Sequence, residues 1–163
     1  MTRAVVYAPI ATAILILIIG LLALLVGQPW LFPSIGPTIF VQTVTPNDAS
    51  ARLWNIAAGH ATGIAAGFAS VYLFGAQHTK PALSSDLLSI ERLLASALAL
   101  GLMVALQEIL KAPHAPAAAT TLIVTLGAMP PTVNTVGALV IGVGLAAVFG
   151  EISRHIHPSK SRP

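Results

Sequence analysis

The sequence predicts an all-α membrane protein: four transmembrane helices plus two short re-entrant or broken helices, arranged as two structural repeats. Three observations predict it. Charged residues make up 8% of the chain, against about 25% in soluble domains. Four long apolar runs occur, and an apolar helix of roughly 20 residues crosses a bilayer core. A short apolar stretch bracketed by prolines follows the first and third runs, so the order long, short, long occurs twice. Interrupted hydrophobic segments at matching positions of two halves point to a membrane binding site. Mean hydropathy is +0.87. The 163 residues give one transmembrane domain, 1–163, with no room for a separate soluble one.

Span one is read at Ala8–Val26 and ends at Gly27-Gln28-Pro29. Its uncharged run exceeds a signal-peptide core, and no small-x-small site closes it before Pro29-Trp30. It is therefore read as a retained span. Trp30 and Phe32 follow, as aromatics do at a membrane interface. Pro33-Ser34-Ile35-Gly36-Pro37 opens the first short segment, Thr38–Val44. Pro46–Ser50 reads as a turn and helix start, with Asn47 and Asp48 suited to capping. Span two is Leu53–Phe74, and Gly75–Ser89 is the one polar loop of any length.

Span three runs from near Ser89 to Leu110, with Glu91 placed to suit the helix dipole. Residues Ala112–Gly150 contain no Asp, Glu, Lys or Arg. Pro113, Pro116, Pro130 and Pro131 divide this run into a second short segment, Thr120–Leu126, and a fourth span, Val133–Phe149. From Glu151 a polar, basic tail (151–163) is expected to fray. The repeats fall at about 8–75 and 90–150. Pro37–Val41 matches Thr120–Val124 at an offset of 83, and Phe74-Gly75 matches Phe149-Gly150 at an offset of 75. The second half is therefore expected to have the shorter link before its last span.

Topology stays open at this level. Re-entrant short segments give four spans and parallel halves; crossing segments give six and inverted halves. Either way six basic residues share the side of the termini and two lie opposite, which predicts cytoplasmic termini. The short segments are too short for full spans, which favours the re-entrant or broken form.

Candidate site residues follow from polarity inside apolar surroundings. Gly59, Gly63 and Gly67 let another helix approach span two closely. His60 lies near that face, so it points into protein; it is either functional or a neutral hydrogen-bonding residue. His114 opens the second short segment, where free N–H groups and a positive dipole end attract anions, or where it simply caps the helix. Thr120 and Thr121 line a pathway or bond their own helix backbone. Ser34, Gly36 and Thr38 correspond in the first half, or form a plain turn. No buried Arg or Lys is expected to assist them. Glu108 with Lys111 reads as an interfacial pair, and Asp48 with Arg52 as a solvated one. His155 and His157 sit in the tail without a metal role. The chain has no Cys, hence no disulfide or thiolate chemistry. No catalytic motif occurs, so neither an enzyme nor a cofactor is expected. The modest basic charge reports topology rather than a nucleic-acid partner.

These stretches resemble the HPP family of small integral membrane proteins. Its His-Pro-Pro-Ala-Gly-Ala-Thr motif is similar to His114-Ala115-Pro116-Ala117-Ala118-Ala119-Thr120, with Ala115 and Ala118 departing from it. Ser34-Ile35-Gly36-Pro37-Thr38 is similar to the family's Ser-Phe-Gly-Ala-Ser, and Asn55–His60 to its Asn-x-x-Gly-Gly-His, with Ala58 replacing a Gly. The resemblance implies four transmembrane helices. It also implies small-anion transport, since plastid and cyanobacterial members are associated with nitrite. The expectation is thus a small, monovalent, nitrite-like anion moving through a bacterial inner-membrane transporter or channel. The alternatives are transport of another small solute, or a non-transporting membrane scaffold or regulator. The glycine face of span two serves either the internal fold or a homo-oligomer.

Overall fold

The computed structural model describes residues 3–156, with side chains from Val6 onward. Seven helices form among them: α1 Arg3–Val26, α2 Ile35–Val44, α3 Leu53–Leu73, α4 Ala82–Ser85, α5 Ile90–Ile109, α6 Ala117–Thr125 and α7 Val133–Ile156. There is no strand among the described residues. Helices α1, α3, α5 and α7 are long and apolar enough to cross a membrane. Large side chains on α1, such as Leu17, Leu21, Leu24 and Leu25, are exposed. In water that surface would be costly; against lipid chains it is not.

Contacts between helix ends give the direction of each element. The Tyr7 hydroxyl donates to the Ser153 carbonyl, 2.9 Å, and Arg154 donates to the Ala51 carbonyl, 3.2 Å. The start of α1, the end of α7 and the start of α3 therefore share one end of the bundle, called here the near end. At the far end the Tyr72 hydroxyl donates to the Pro131 carbonyl, 2.8 Å. There too Arg92 bonds the carbonyls of Thr79 and Lys80. The chain thus leaves α1 at the far end and enters α3 at the near end. Residues 27–52, with α2, carry it across. Residues 110–132, with α6, carry it back the other way between α5 and α7. Of the two forms left open by the sequence, each short segment is a broken crossing: an extended leader followed by a half-length helix.

Helix α6 packs on α3 and α5, and α2 packs on α7 and α1. The long helices meet as α3 with α5, α1 with α7, and α3 with α7. Small residues allow both close approaches. A Cβ built on Gly59 would stand 2.6 Å from the His114 Cβ, and one on Gly63 2.7 Å from the Thr121 Oγ1. In α7, a Cβ on Gly142 would stand 2.6 Å from the Trp30 carbonyl and the Phe32 ring, and one on Gly150 would strike the Gln42 carboxamide. The glycine face of α3 is therefore filled from within the chain.

Two details differ from the sequence reading. Gly142 and Gly150 follow Gly59 and Gly67 at 83 positions, and Ile156 ends α7 83 positions after Leu73 ends α3. Phe74-Gly75 and Phe149-Gly150, matched above at 75, do not stand at equivalent places. Gly75 ends α3 in a left-handed turn (φ 68°), whereas Gly150 lies inside α7 against Gln42. The span also runs on through Glu151–Ile156, held by the Arg154 bond to Ala51 and the Arg154–Glu151 ion pair. The rest of the expected tail, 157–163 with His157, lies outside the described residues.

Gly59→Ala should lower stability by about 1–3 kcal/mol, the usual cost of overpacking. Ala at Gly137, where a Cβ meets nothing within 4 Å, should not. Thermal unfolding in detergent measures both. Single cysteines placed at Gln28 and Asp48, which flank α2 and are exposed, in this Cys-free chain should label from opposite sides of the membrane; labelling from one side would contradict the broken crossing.

Candidate functional site

The starts of the two short helices meet between the halves, and their polar side chains form one continuous network. Ser34 and Thr38 come from the start of α2, His60 from α3, His114 from the leader of α6, and Thr120 from α6 itself. All five are at most 1% exposed. His60 Nδ1 lies 2.7 Å from Thr120 Oγ1, and Thr120 Oγ1 donates to Ser34 Oγ, 2.7 Å. His60 Nε2 lies 3.1 Å from Thr38 Oγ1 and 3.2 Å from His114 Nε2. Thr38 Oγ1 donates to the Ser34 carbonyl, 2.8 Å, and lies 3.4 Å from His114 Nε2. The imidazole centroids are 4.9 Å apart, with planes inclined by 59°.

This network joins five of the seven candidate residues. Gly36 sits in the first turn of α2, and a Cβ there would meet nothing within 4 Å. Thr121 turns the other way. Its hydroxyl bonds the Ala117 carbonyl, 3.2 Å, and the Met103 sulfur, 3.3 Å. Adjacent helical residues point about 100° apart, so Thr120 and Thr121 cannot both face the network.

Two residues not singled out from the sequence fix His114. Its Nδ1 bonds the Ser50 carbonyl, 2.8 Å, with Ser50 Oγ at 3.3 Å. Its backbone N–H donates to Gln107 Oε1, 2.8 Å. Gln107 is 6% exposed, and its Nε2 has no partner among the described residues. A buried carboxamide with an idle N–H, bonded to the His114 backbone, is a donor available to a guest. Asn55 also reaches this leader, donating to the Pro113 carbonyl, 3.2 Å.

The backbone contributes less than a helix start usually does. The first N–H groups of α6 are taken: Ala117 bonds the His114 carbonyl, Ala118 that of Ala115, and Ala119 that of Pro116. The free N–H groups expected at His114 are therefore absent. In α2, Ile35 N–H bonds the Phe32 carbonyl and Thr38 N–H that of Ser34; Pro37 has no N–H. Gly36 keeps the one first-turn N–H of α2 without a backbone acceptor among the described residues. The dipole ends remain, but side chains supply most of the donors.

A buried Arg does exist, against expectation. Arg92 is 3% exposed. It lies at the far end, where its guanidinium donates to the carbonyls of Lys80 (2.7 Å), Thr125 (2.8 Å) and Thr79 (2.9 Å). Gly127 lies so close that a Cβ would stand 2.5 Å from the guanidinium. Arg92 thus ties the end of α6 to the loop after α3. The same-helix neighbour Ser96 donates to Thr125 Oγ1, 2.8 Å. Among the described residues no group of three or more His, Cys, Asp or Glu residues is placed to hold a metal ion.

Four apolar helices and two broken crossings that share a buried polar network define a polytopic helical membrane protein. The sequence model of the family described as "HPP, transmembrane region" matches residues 1–158. The chain belongs to that family. Neither the curated proteins nor the solved structures gave a match.

Replacing Arg92 by Met would leave three carbonyls without their donor at the far end of α6. Each orphaned buried group costs about 1–3 kcal/mol, so the variant should unfold at clearly lower denaturant or temperature in detergent. Protease access to the loop between α3 and α5 should rise with it. A wild-type unfolding curve for Arg92→Met would show that these bonds hold nothing.

Proposed function

We propose that the chain is a transporter or channel for a small monovalent anion of nitrite-like size, with its site where α2 and α6 begin. One observation carries this reading: the polar groups meeting at these two helix starts include no carboxylate. Ser34, Thr38, His60, His114 and Thr120 bring hydroxyls and imidazoles. Gln107 Nε2 and Gly36 N–H add idle donors. Broken helices whose starts converge near the middle of a bundle are a recurring way to hold an anion in a membrane.

Charge limits the class of guest. Arg92 is committed to three carbonyls at the far end, so no fixed cation stands in the network. A dianion would enter without compensation, and desolvating it would cost far more than hydroxyls return. A weakly hydrated monovalent ion is the better match. We further read the halves, about 8–75 and 90–150, as inverted repeats. Each half has the same element order, and the helix contacts pair off: α1 with α2 as α5 with α6, α2 with α7 as α6 with α3, and α1 with α7 as α5 with α3. The excess of basic residues beside the termini supports a cytoplasmic near end in a bacterial inner membrane.

Purified protein in proteoliposomes should take up nitrite saturably, with nitrate, formate and chloride as competitors. His60→Ala with His114→Ala should reduce uptake by about tenfold or more, the effect of losing one or two polar contacts of roughly 1.5–3 kcal/mol each. Thr121→Val should change it little, because Thr121 faces Met103. If folded protein moves none of these anions, the proposal fails.

A further inference from the structure

The protons in the network do not add up for two neutral histidines. A carbonyl only accepts, so the 2.8 Å contact to Ser50 places a proton on His114 Nδ1. Thr120 spends its proton on Ser34 Oγ. Its contact with His60 at 2.7 Å then requires the proton to be on His60 Nδ1. A neutral imidazole carries one N–H. Both Nε2 atoms are therefore bare acceptors, and they face each other at 3.2 Å. Thr38 cannot repair this. Its proton goes to the Ser34 carbonyl, and even if turned to His60 it would leave His114 Nε2 facing a second acceptor. Three acceptors converge with no donor among them, and burial makes unpaired acceptors costly.

We propose that His60 and His114 hold one exchangeable proton between their Nε2 atoms, and that anion binding requires it. With the proton in place the pair is a monocation, the fixed charge the network otherwise lacks. Without it the site presents lone pairs to an incoming anion and repels it. One proton enters from water, bridges the two nitrogens, and its charge balances that of one monovalent guest. The second half of the statement rests on the anion reading above; the shared proton rests on geometry alone.

Among the described residues no other titratable group competes at the pair. Helices α2 and α6 contain none, and α3 has only His60 and the distant Tyr72. The 3-10 turn that carries Ser50 is flanked by Asp48 and Arg52, both exposed. The leader of α6 has Lys111, and the near end of α5 has Glu108, both exposed. Glu91 and Arg92 lie at the far end of α5. Helix α7 brings Glu151, Arg154 and His155, with Arg154 reaching the Ala51 carbonyl. The first two of these are paired with each other. All the charged groups near this end lie at the rim, where water screens them.

The test is 15N NMR of histidine-labelled wild-type protein in lipid nanodiscs from pH 4 to 9, with His60→Gln and His114→Gln used only to assign resonances. Both rings should keep Nδ1–H throughout, and a single proton should enter the two Nε2 atoms together, as a coupled pair titrates. A neutral His60 in the Nε2–H form, donating to His114 with no proton taken up, would overturn the proposal. So would two independent titrations. Nitrate is the added probe, since it stays an anion over this range. By reciprocity it should move the pair's titration to higher pH. Above that titration its affinity should fall about tenfold per pH unit. A shared proton whose titration neither nitrate nor nitrite shifts would sink the anion reading and the coupling while leaving the proton site in place. Anion uptake with no shared proton would do the reverse.

Discussion

The close approach of α6 to α3 is the constraint on which the rest depends. It exists because Gly59 and Gly63 have no side chains. With a Cβ at Gly59 only 2.6 Å from that of His114, any other residue would push the α6 leader away. The 3.2 Å contact between the imidazoles would open with it. The same approach sets the Ser50 and Gln107 bonds, since both hold His114 from the other side. Hydrogen bonds tune the site, but the missing methyl groups on α3 are what allow it to form.

A broken crossing leaves backbone groups stranded in an apolar region, and each must find a partner or cost several kcal/mol. This chain solves the problem locally at α6, with three tight-turn bonds to the leader carbonyls. At the far end it uses a side chain: Arg92 collects Thr125, Thr79 and Lys80. The two solutions have different consequences. Local bonds leave the first turn of α6 without free backbone donors at Ala117, Ala118 and Ala119. The distant Arg fixes the exit of α6, so that movement at the site would have to come from the leader rather than from the helix end.

Much of this was legible in the sequence because it is local. The long runs, the prolines around each short segment and the glycine spacing in α3 are patterns within one element, and they gave the helices nearly to their ends. The network members Ser34, Thr38, His60, His114 and Thr120 were visible as polar residues in apolar stretches. What the sequence left hidden is non-local. Whether Thr120 or Thr121 faces the site depends on the rotation of α6, which Gly63 and Met103 set from other helices. In the sequence Arg92 counts only as one of the basic residues that set topology; its burial depends on three carbonyls from 12 to 33 positions away that converge on it. The 75-residue match of Phe74-Gly75 failed because the same dipeptide ends one helix and lies inside another. Gln107 gave no signal, since one amide in an apolar span reads as a border residue.

The halves correspond in their contacts but not in their chemistry, and this decides where the site lies. At Gly59 the α6 leader presents His114; at Gly142 the α2 leader presents Phe32 and the Trp30 carbonyl. One crossing point is thus polar and the other sealed by an aromatic ring. His60 lies seven residues into α3, roughly 10 Å from its start at 1.5 Å per residue. The network therefore sits toward the near end, behind Ser50 and the α6 leader, and farther from the opposite end behind Phe32 and Ile123, both buried. On the anion reading, an ion leaving toward the near end would have to part the His114–Ser50 contact. One leaving the other way would have to part packed apolar side chains. On that reading, opening on the far side would be the more demanding step, because it separates dispersion contacts that nothing polar replaces.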